Sequence, residues 1–305
     1  MRFRLSLMLG ASCAFVVAGA ACGGSGDSNF NNNGGDSGTD GGGNDGGGLD
    51  DVNFVPPTDA PPPPPADTGP PPEVAVVYAH SPSVLYKLDP ITKAVTTVGP
   101  FTGGCSSIID LAIDENSKGF VTTFSGFYKV DLTNAKCTQI QTGSYPNSLS
   151  FVPKGTLDPS AEALVGYVGS TYIRINTTTG AVSNVGALTG GYSSSGDIVS
   201  VKNGGTFLTV TGPSCGDCLL QVDPKTGNIV KNYGTVNHSS VFGLAFWAGA
   251  LYGFDDAGEL FEITANGNGI KTTPIVVQGG LQFWGAGSTT SAPATDKDGG
   301  GIIIN

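Results

Sequence analysis

Charge is scarce in this sequence, and histidine scarcer still. Only 13% of its 305 residues are charged, and two are histidines, His80 and His238. Neither histidine has a ligand or triad pattern around it, so a Ser/His/Asp centre would arise only by coincidence of the fold, and a zinc site lacks its ligand set. Lysine and arginine are missing from Leu5 to Tyr86, which leaves that stretch no electrostatic grip on anionic lipid. Across residues 73–293 fifteen acidic side chains stand against eleven basic ones, a balance that argues against nucleic acid as a partner. "DENSKG" at residues 114–119 reads as a turn, because its side chains lack the ligand spacing of a calcium loop. The sequence therefore nominates no catalytic residue, no metal and no cofactor.

What is present begins with a leader. Residues 1–21 open with Arg2 and Arg4, run apolar from Leu5 to Val17 and end in small residues, the three-part layout of a secretory signal peptide and too short for a membrane span. Cys22 follows directly. "AGAACGG" resembles a bacterial lipobox, with Gly19 where that motif usually has leucine. The resemblance implies that Cys22 is lipidated and that the mature lipoprotein is exported and anchored in the cell envelope. Gly23 is not the aspartate associated with inner-membrane retention, which points to the outer membrane; ordinary signal cleavage would instead give a secreted protein. Residues 22–72 make a disordered tether. "GGSGDSNFNNNGGDSGTDGGGNDGGG" offers too little apolar surface to offset chain entropy, and "VPPTDAPPPPPADTGPPP" favours an extended polyproline II rod at about 3.1 Å per residue.

Residues 73–290 are strand-rich, punctuated by turns and self-similar. Five segments align: "LYKLDPITKAV" from Leu85, "FYKVDLTNAKC" from Phe127, "YIRINTTTGAV" from Tyr172, "LLQVDPKTGNI" from Leu219 and "LFEITANGNGI" from Leu260. Their fifth positions, Asp89, Asp131, Asn176, Asp223 and Thr264, are separated by 42, 45, 47 and 41 residues. Each segment reads as a β-hairpin whose Asp or Asn accepts turn amides, with Pro90 or Pro224 presetting φ and Gly180 or Gly227 free to take positive φ. Alternation sets Tyr86 and Leu88, or Leu220 and Val222, on one face, and Leu85 or Leu219 on the other, so both faces of each sheet are partly buried. Another strand pair precedes four of the hairpins. The first hairpin has one strand before it, "VAVVYAH", and one strand, "GGLQFWGAG", is left over at the C-terminal end. The predicted fold is therefore all-β, a β-propeller of five four-stranded blades, closed by the C-terminal strand pairing into the N-terminal blade without a free sheet edge. Residues 291–305 form a flexible tail, and the protein is expected as a monomer.

The "DLAID", "LYKLD" and "DPKTG" segments resemble bacterial extracytoplasmic β-propellers of the YVTN and quinoprotein-like group. That resemblance covers residues 73 to about 290, and because its motifs are structural it implies a fold and not an activity. The domain lacks the Asp-box of sialidases and the tryptophan docking repeats of quinone-dependent propellers. Four cysteines fall within it. In an exported chain an even count favours disulfides, and the blade layout favours Cys105 with Cys137 and Cys215 with Cys218. The CxxC lies between strands, without the helix N-terminus that lowers a redox thiol's pKa. Aligned inner strands begin at Asp110, Ser148, Asp197, Gly243 and Gly280. Asp110 and Asp197 either share a cation or polar ligand at the channel mouth or cap strand amides. With Trp247 and Trp284 they are the candidate ligand-binding residues. The function expected is an envelope-anchored, non-catalytic binding or scaffolding module for a protein or glycan, touching the membrane through its lipid alone. The alternative is an extracytoplasmic hydrolase or lactonase with its site at the channel mouth.

Overall fold

The computed structural model describes residues 76–266 and 269–294, so the leader, Cys22, the tether and the tail from residue 295 lie outside the described residues. The described residues form strands and no helix. Blade 1 contributes β1 (Val77–His80), β2 (Val84–Leu88) and β3 (Val95–Pro100). Blade 2 is β4 (Ile108–Ile113), β5 (Gly119–Thr123), β6 (Gly126–Asp131) and β7 (Lys136–Thr142). Blade 3 is β8 (Leu149–Val152), β9 (Ala163–Val168), β10 (Thr171–Ile175) and β11 (Val182–Ala187). Blade 4 is β12 (Ser193–Val201), β13 (Gly205–Gly212), β14 (Cys215–Val222) and β15 (Ile229–Thr235). Blade 5 is β16 (Val241–Trp247), β17 (Ala250–Asp255), β18 (Leu260–Asn266) and β19 (Gly269–Ile275). The last strand, β20 (Gly285–Ser288), pairs antiparallel with β1, His80 opposite Gly285 and Val77 opposite Ser288. The result is five four-stranded antiparallel sheets, a five-bladed propeller whose ring is closed by its own C-terminal strand.

Period-two alternation explains why the sheets stack around an axis. Leu85 packs into the apolar layer shared with blade 2, whereas Tyr86 and Leu88 pack into the layer shared with blade 5. Every third strand divides in the same way. Phe127 points to blade 3 and Tyr128 with Val130 to blade 1, while Leu219 points to blade 5 and Leu220 with Val222 to blade 3. The core is thus five layers, one between each pair of neighbouring blades, and both faces of each sheet lose water.

The outer hairpins show why the repeat keeps Asp or Asn. Asp89 Oδ1 accepts the amides of Ile91 and Thr92 at 2.8 and 3.0 Å, and Asn176 Oδ1 accepts those of Thr178 and Thr179, both at 2.9 Å. Four residues after each of these comes a residue of positive φ, Lys93 at 61° and Gly180 at 72°, with Ala135 at 57° and Gly227 at 71° in the other two turns. Only two of the four use glycine, so the turn geometry is imposed by its hydrogen bonds as much as by the residue. The fifth hairpin departs from the alignment. Thr264 lies inside β18, opposite Lys271, and the strand runs on to Asn266 because Thr264 offers no carboxylate or amide oxygen to fold the chain at that point.

Two disulfides tie loops to this frame. Cys105 joins Cys137 and Cys215 joins Cys218. The first closes because the loop after β3 lies alongside β7, where the Thr102 amide donates to Ala135 O and the Cys137 amide to Thr102 O. Past β20 the chain stays on the propeller: Lys202 donates its amide to Thr290 O, Gly249 donates to Pro293 O, and Ala292 is buried. The segment expected to be tail from residue 291 therefore begins as part of the packed domain.

Candidate functional site

The five inner strands, β4, β8, β12, β16 and β20, all begin at the same end of the molecule, here the top face. Hydrogen bonds define which residues are equivalent there. Asp110 accepts the amide of Leu111 on Oδ1 at 2.7 Å and that of Leu149, in the next blade, on Oδ2 at 2.5 Å. Asp197 does the same for Ile198 at 2.6 Å and Leu244 at 2.8 Å, and also accepts the amide of Ala286. The ring position is thus held by Asp110, Ser148, Asp197, Gly243 and Gly285. The fifth member is Gly285 and not Gly280, because the leftover strand pairs with β1 from Gly285 onward and Gly280 lies in the loop before it.

Size decides how two carboxyl groups fit into so narrow a ring. A Cβ on Gly285 would stand 2.3 Å from His80 Nε2 and 2.7 Å from Asp110 Oδ1, and one on Gly243 would stand 2.9 Å from both the Cβ and the amide of Ala286. With glycine at those places the Asp110 and Asp197 side chains meet and hydrogen-bond to one another. Both are fully buried. Burial raises the pKa of each well above the ordinary carboxylate range, and for Asp110 the neighbouring Asp197 adds to it. His80 lies beside them on β1. Its Nδ1–H donates to Ser81 O at 2.9 Å, and burial lowers its pKa to about 4, so it stays neutral. Asp110 and Asp197 are therefore caught up in tying strand starts together, and none of their atoms reaches solvent.

A pocket lies directly above the ring. It has a volume of about 320 Å³ and is lined by Ile109, Phe124, Asn147, Phe242 and Trp284. Four of these are the residues immediately before ring members Asp110, Ser148, Gly243 and Gly285; Phe124 comes from the β5–β6 turn. Two of them are there because the inner strands bulge. The β4–β5 register skips Ile109, between Ile108 opposite Thr123 and Asp110 opposite Thr122, and the β16–β17 register skips Phe242 in the same way. A bulge residue is released from the ladder and turned toward the axis. Trp284 is fixed by its indole N–H, which donates to Asp256 Oδ1 at 2.9 Å, while Phe124 is 70% exposed at the rim. The lining is apolar and aromatic with one carboxamide, Asn147, and no charge.

The other candidate aromatic, Trp247, ends β16 at the bottom face and packs against the apolar layers on both sides of blade 5, away from this pocket. The bottom face has a different character. Glu162 accepts the Glu115 amide at 2.6 Å and the Thr290 hydroxyl, beside a cavity of about 360 Å³ also lined by Lys154 and Lys202. Burial raises its pKa to about 7, with Glu115 and Asp114 adding to the shift. Of these residues the sequence nominated Trp284 alone, and it did not reveal Glu162, Ile109, Phe124, Asn147 or Phe242. The one readable signal was position: Ile109, Asn147 and Phe242 each stand one residue ahead of an aligned strand start, whereas Trp284 does so only once β20 is placed from Gly285.

No family profile and no curated protein matches the chain. Solved structures of similar shape include one from a nidogen/laminin complex, at 10% identity and TM-score 0.46, covering 72% of this chain and 99% of that one. Another comes from work on the de novo evolutionary emergence of a symmetrical protein, at 16% identity and TM-score 0.44, with the same coverage of each chain. A protein of unknown function from Bacteroides caccae is 13% identical with TM-score 0.38, over 68% of this chain and 76% of that one. Likeness at this level carries no information about what the chain binds.

Proposed function

We propose that the chain is a non-catalytic binding module of the bacterial cell envelope that takes a saccharide ring into the pocket at the top of its channel. The observation that carries this reading is the pocket itself: two aromatic rings, Phe242 and Trp284, set above a closed ring of strand starts, with Phe124 at the rim and Asn147 as the single amide donor and acceptor. Its volume of about 320 Å³ suits one ring-sized group, and the apolar face of a pyranose stacks on aromatic surfaces while its hydroxyls need such an amide. A protein partner would need a far larger contact, on the order of 800 Å² a side. The non-catalytic part of the reading draws support from Asp110 and Asp197, which are buried with their oxygens occupied by amides. The two disulfides fit an exported protein. In this reading Cys22 carries the lipid, the anchor lies in the outer membrane, and the protein works as a monomer.

The test is binding of the intact chain to envelope polysaccharide. Trp284→Ala and Phe242→Ala are expected to weaken binding by tenfold or more, since each removes a stacking surface of about 1–3 kcal/mol, whereas Trp247→Ala, at the opposite face, leaves it unchanged. Absence of binding to every envelope glycan fraction, or binding indifferent to Trp284, refutes the saccharide reading; capture of a protein that is lost in the same variants replaces it with a protein-docking one. Mass analysis of the mature N-terminus decides lipidation at Cys22.

A further inference from the structure

His238, which has no ligand pattern around it in the sequence, is surrounded in the fold. It sits in the loop between β15 and β16, and the β17–β18 turn brings Asp255 and Glu259 to it. His238 Nδ1 lies 3.4 Å from Asp255 Oδ2 and 3.2 Å from Glu259 Oε2, and the three ligand atoms all lie within 4.8 Å of one another. We infer that these three side chains form a binding site for a divalent transition-metal ion of the zinc class on the top face.

Three features carry this. The first is spacing. One Nδ1–H can align fully with only one of the two carboxylates, and the Asp255 contact at 3.4 Å is longer than the usual nitrogen-to-oxygen hydrogen bond. Ligands bound at about 2.0–2.2 Å to a tetrahedral zinc ion lie about 3.4 Å apart, and the histidine nitrogen here stands 3.4 and 3.2 Å from its two carboxylates. The second is preorganisation. The imidazole is stacked on Phe261 at 3.6 Å and 12°, and Asp255, only 4% exposed, has its Oδ1 held by the Glu259 amide at 2.9 Å, which presents Oδ2 to the histidine. The third is composition: one imidazole and two carboxylates suit zinc or a similar first-row ion and leave a position for water, whereas calcium needs six or more oxygens. Nδ1 can bind the ion only with the ring proton on Nε2, so binding selects that tautomer of the imidazole. The site stands apart from the saccharide pocket and does not depend on its being occupied, although the same turn carries Asp256, which holds Trp284.

The experiment is a calorimetric titration of the intact chain with Zn²⁺ after its free thiols are alkylated, with tryptophan emission recorded in parallel. One equivalent of Zn²⁺ is expected to bind, with a change in emission that survives Trp247→Phe, because Trp284 is tied to the turn that receives the ion. Glu259→Gln keeps the backbone amide that holds Asp255 and removes one charged ligand from a position 62% exposed, so it folds and should bind at least about tenfold more weakly. His238→Ala should abolish binding, and excess Ca²⁺ should not compete. No uptake of Zn²⁺, or uptake equal in the parent and in Glu259→Gln, overturns the site.

Discussion

Asp131 closes the outer hairpin of the second blade and Asp110 opens the inner strand of the same blade; both accept amides, yet their protons respond in opposite directions. Asp131 sits in water, where the hydroxyl and amide of Thr133 and the Asn134 carboxamide lower its pKa. Asp110 accepts two amides at 2.7 and 2.5 Å, but removal from water and the presence of Asp197 outweigh them and raise it. Hydrogen bonds alone therefore do not set the charge of a carboxyl. Desolvation decides, and it divides the propeller into a rim where Asp is an anion in a turn and an axis where Asp is half of a proton-sharing brace.

The hardest way to break that contrast is to remove an axial carboxyl. Asp110→Ala leaves the buried amides of Leu111 and Leu149 without acceptors and opens a void beside Asp197, so a loss of about 3–5 kcal/mol is expected in urea unfolding. Asp197→Ala should behave alike through Ile198 and Leu244. If either variant unfolds within 1 kcal/mol of the parent, roughly the worth of a single hydrogen bond, the brace is not what holds the strand starts.

A smaller effect is expected from crowding the axis without touching a carboxyl. Gly285→Ala puts a methyl group 2.3 Å from His80 Nε2 and 2.7 Å from Asp110 Oδ1, and overpacking of this kind costs about 1–3 kcal/mol. Thermal unfolding with the crystal structure of the variant would show whether the Asp110 and Asp197 carboxyls separate. An unchanged melting point would mean that the ring has slack.

Titration distinguishes the two classes of carboxyl next. For a group raised on folding, the native state binds the proton more tightly, so stability is full below the unfolded pKa and falls as pH rises toward the folded one. Glu162 gives a defined window: stability should decline from about pH 4.5 to about pH 7 through this group, with Glu115 and Asp114 adding repulsion and Lys154 and Lys202 lining the same cavity. Glu162→Gln should flatten that decline in unfolding curves measured at pH 5 and pH 8. The axial pair contributes with the same sign above 3.8. Asp89 and Asp131, lowered on folding, contribute oppositely: their stabilisation is present above 3.8 and lost as pH falls below it.

The rim was legible in the sequence because it repeats. Asp89, Asp131, Asn176 and Asp223 recur where a hairpin must turn, and alternation at Leu85, Tyr86 and Leu88 anticipates the two layers on which the third strand packs. The axis was legible only as a list of strand starts. Which glycine completed the ring depended on the register of β20 against β1, and a short run of glycine and alanine, "GAGS", has no periodicity from which to read it. The pocket was harder again, because Ile109 and Phe242 reach it through bulges, and a bulge is a relation between two strands that one strand's sequence does not display. His238 met Asp255 and Glu259 through the pairing of Val241 with Asp255, which sets the loop entering blade 5 against that blade's own β17–β18 turn.

The smallest expected effect lies where the repeat is most exact to the eye. In "LLQVDPKTGNIV" Asp223 accepts the Lys225 amide at 2.8 Å and the Thr226 hydroxyl at 3.1 Å. Beneath that, the turn is closed by backbone alone, with the Gly227 amide donating to Asp223 O at 2.7 Å and the Asp223 amide to Asn228 O at 2.8 Å. Asp223→Ala removes only the side-chain bonds, and water can satisfy the Lys225 amide it frees, so about 1 kcal/mol or less should be lost, a shift of a few degrees in melting temperature. A loss as large as that of Asp110→Ala would mean that the rim turns, and not the axial brace, hold the propeller closed.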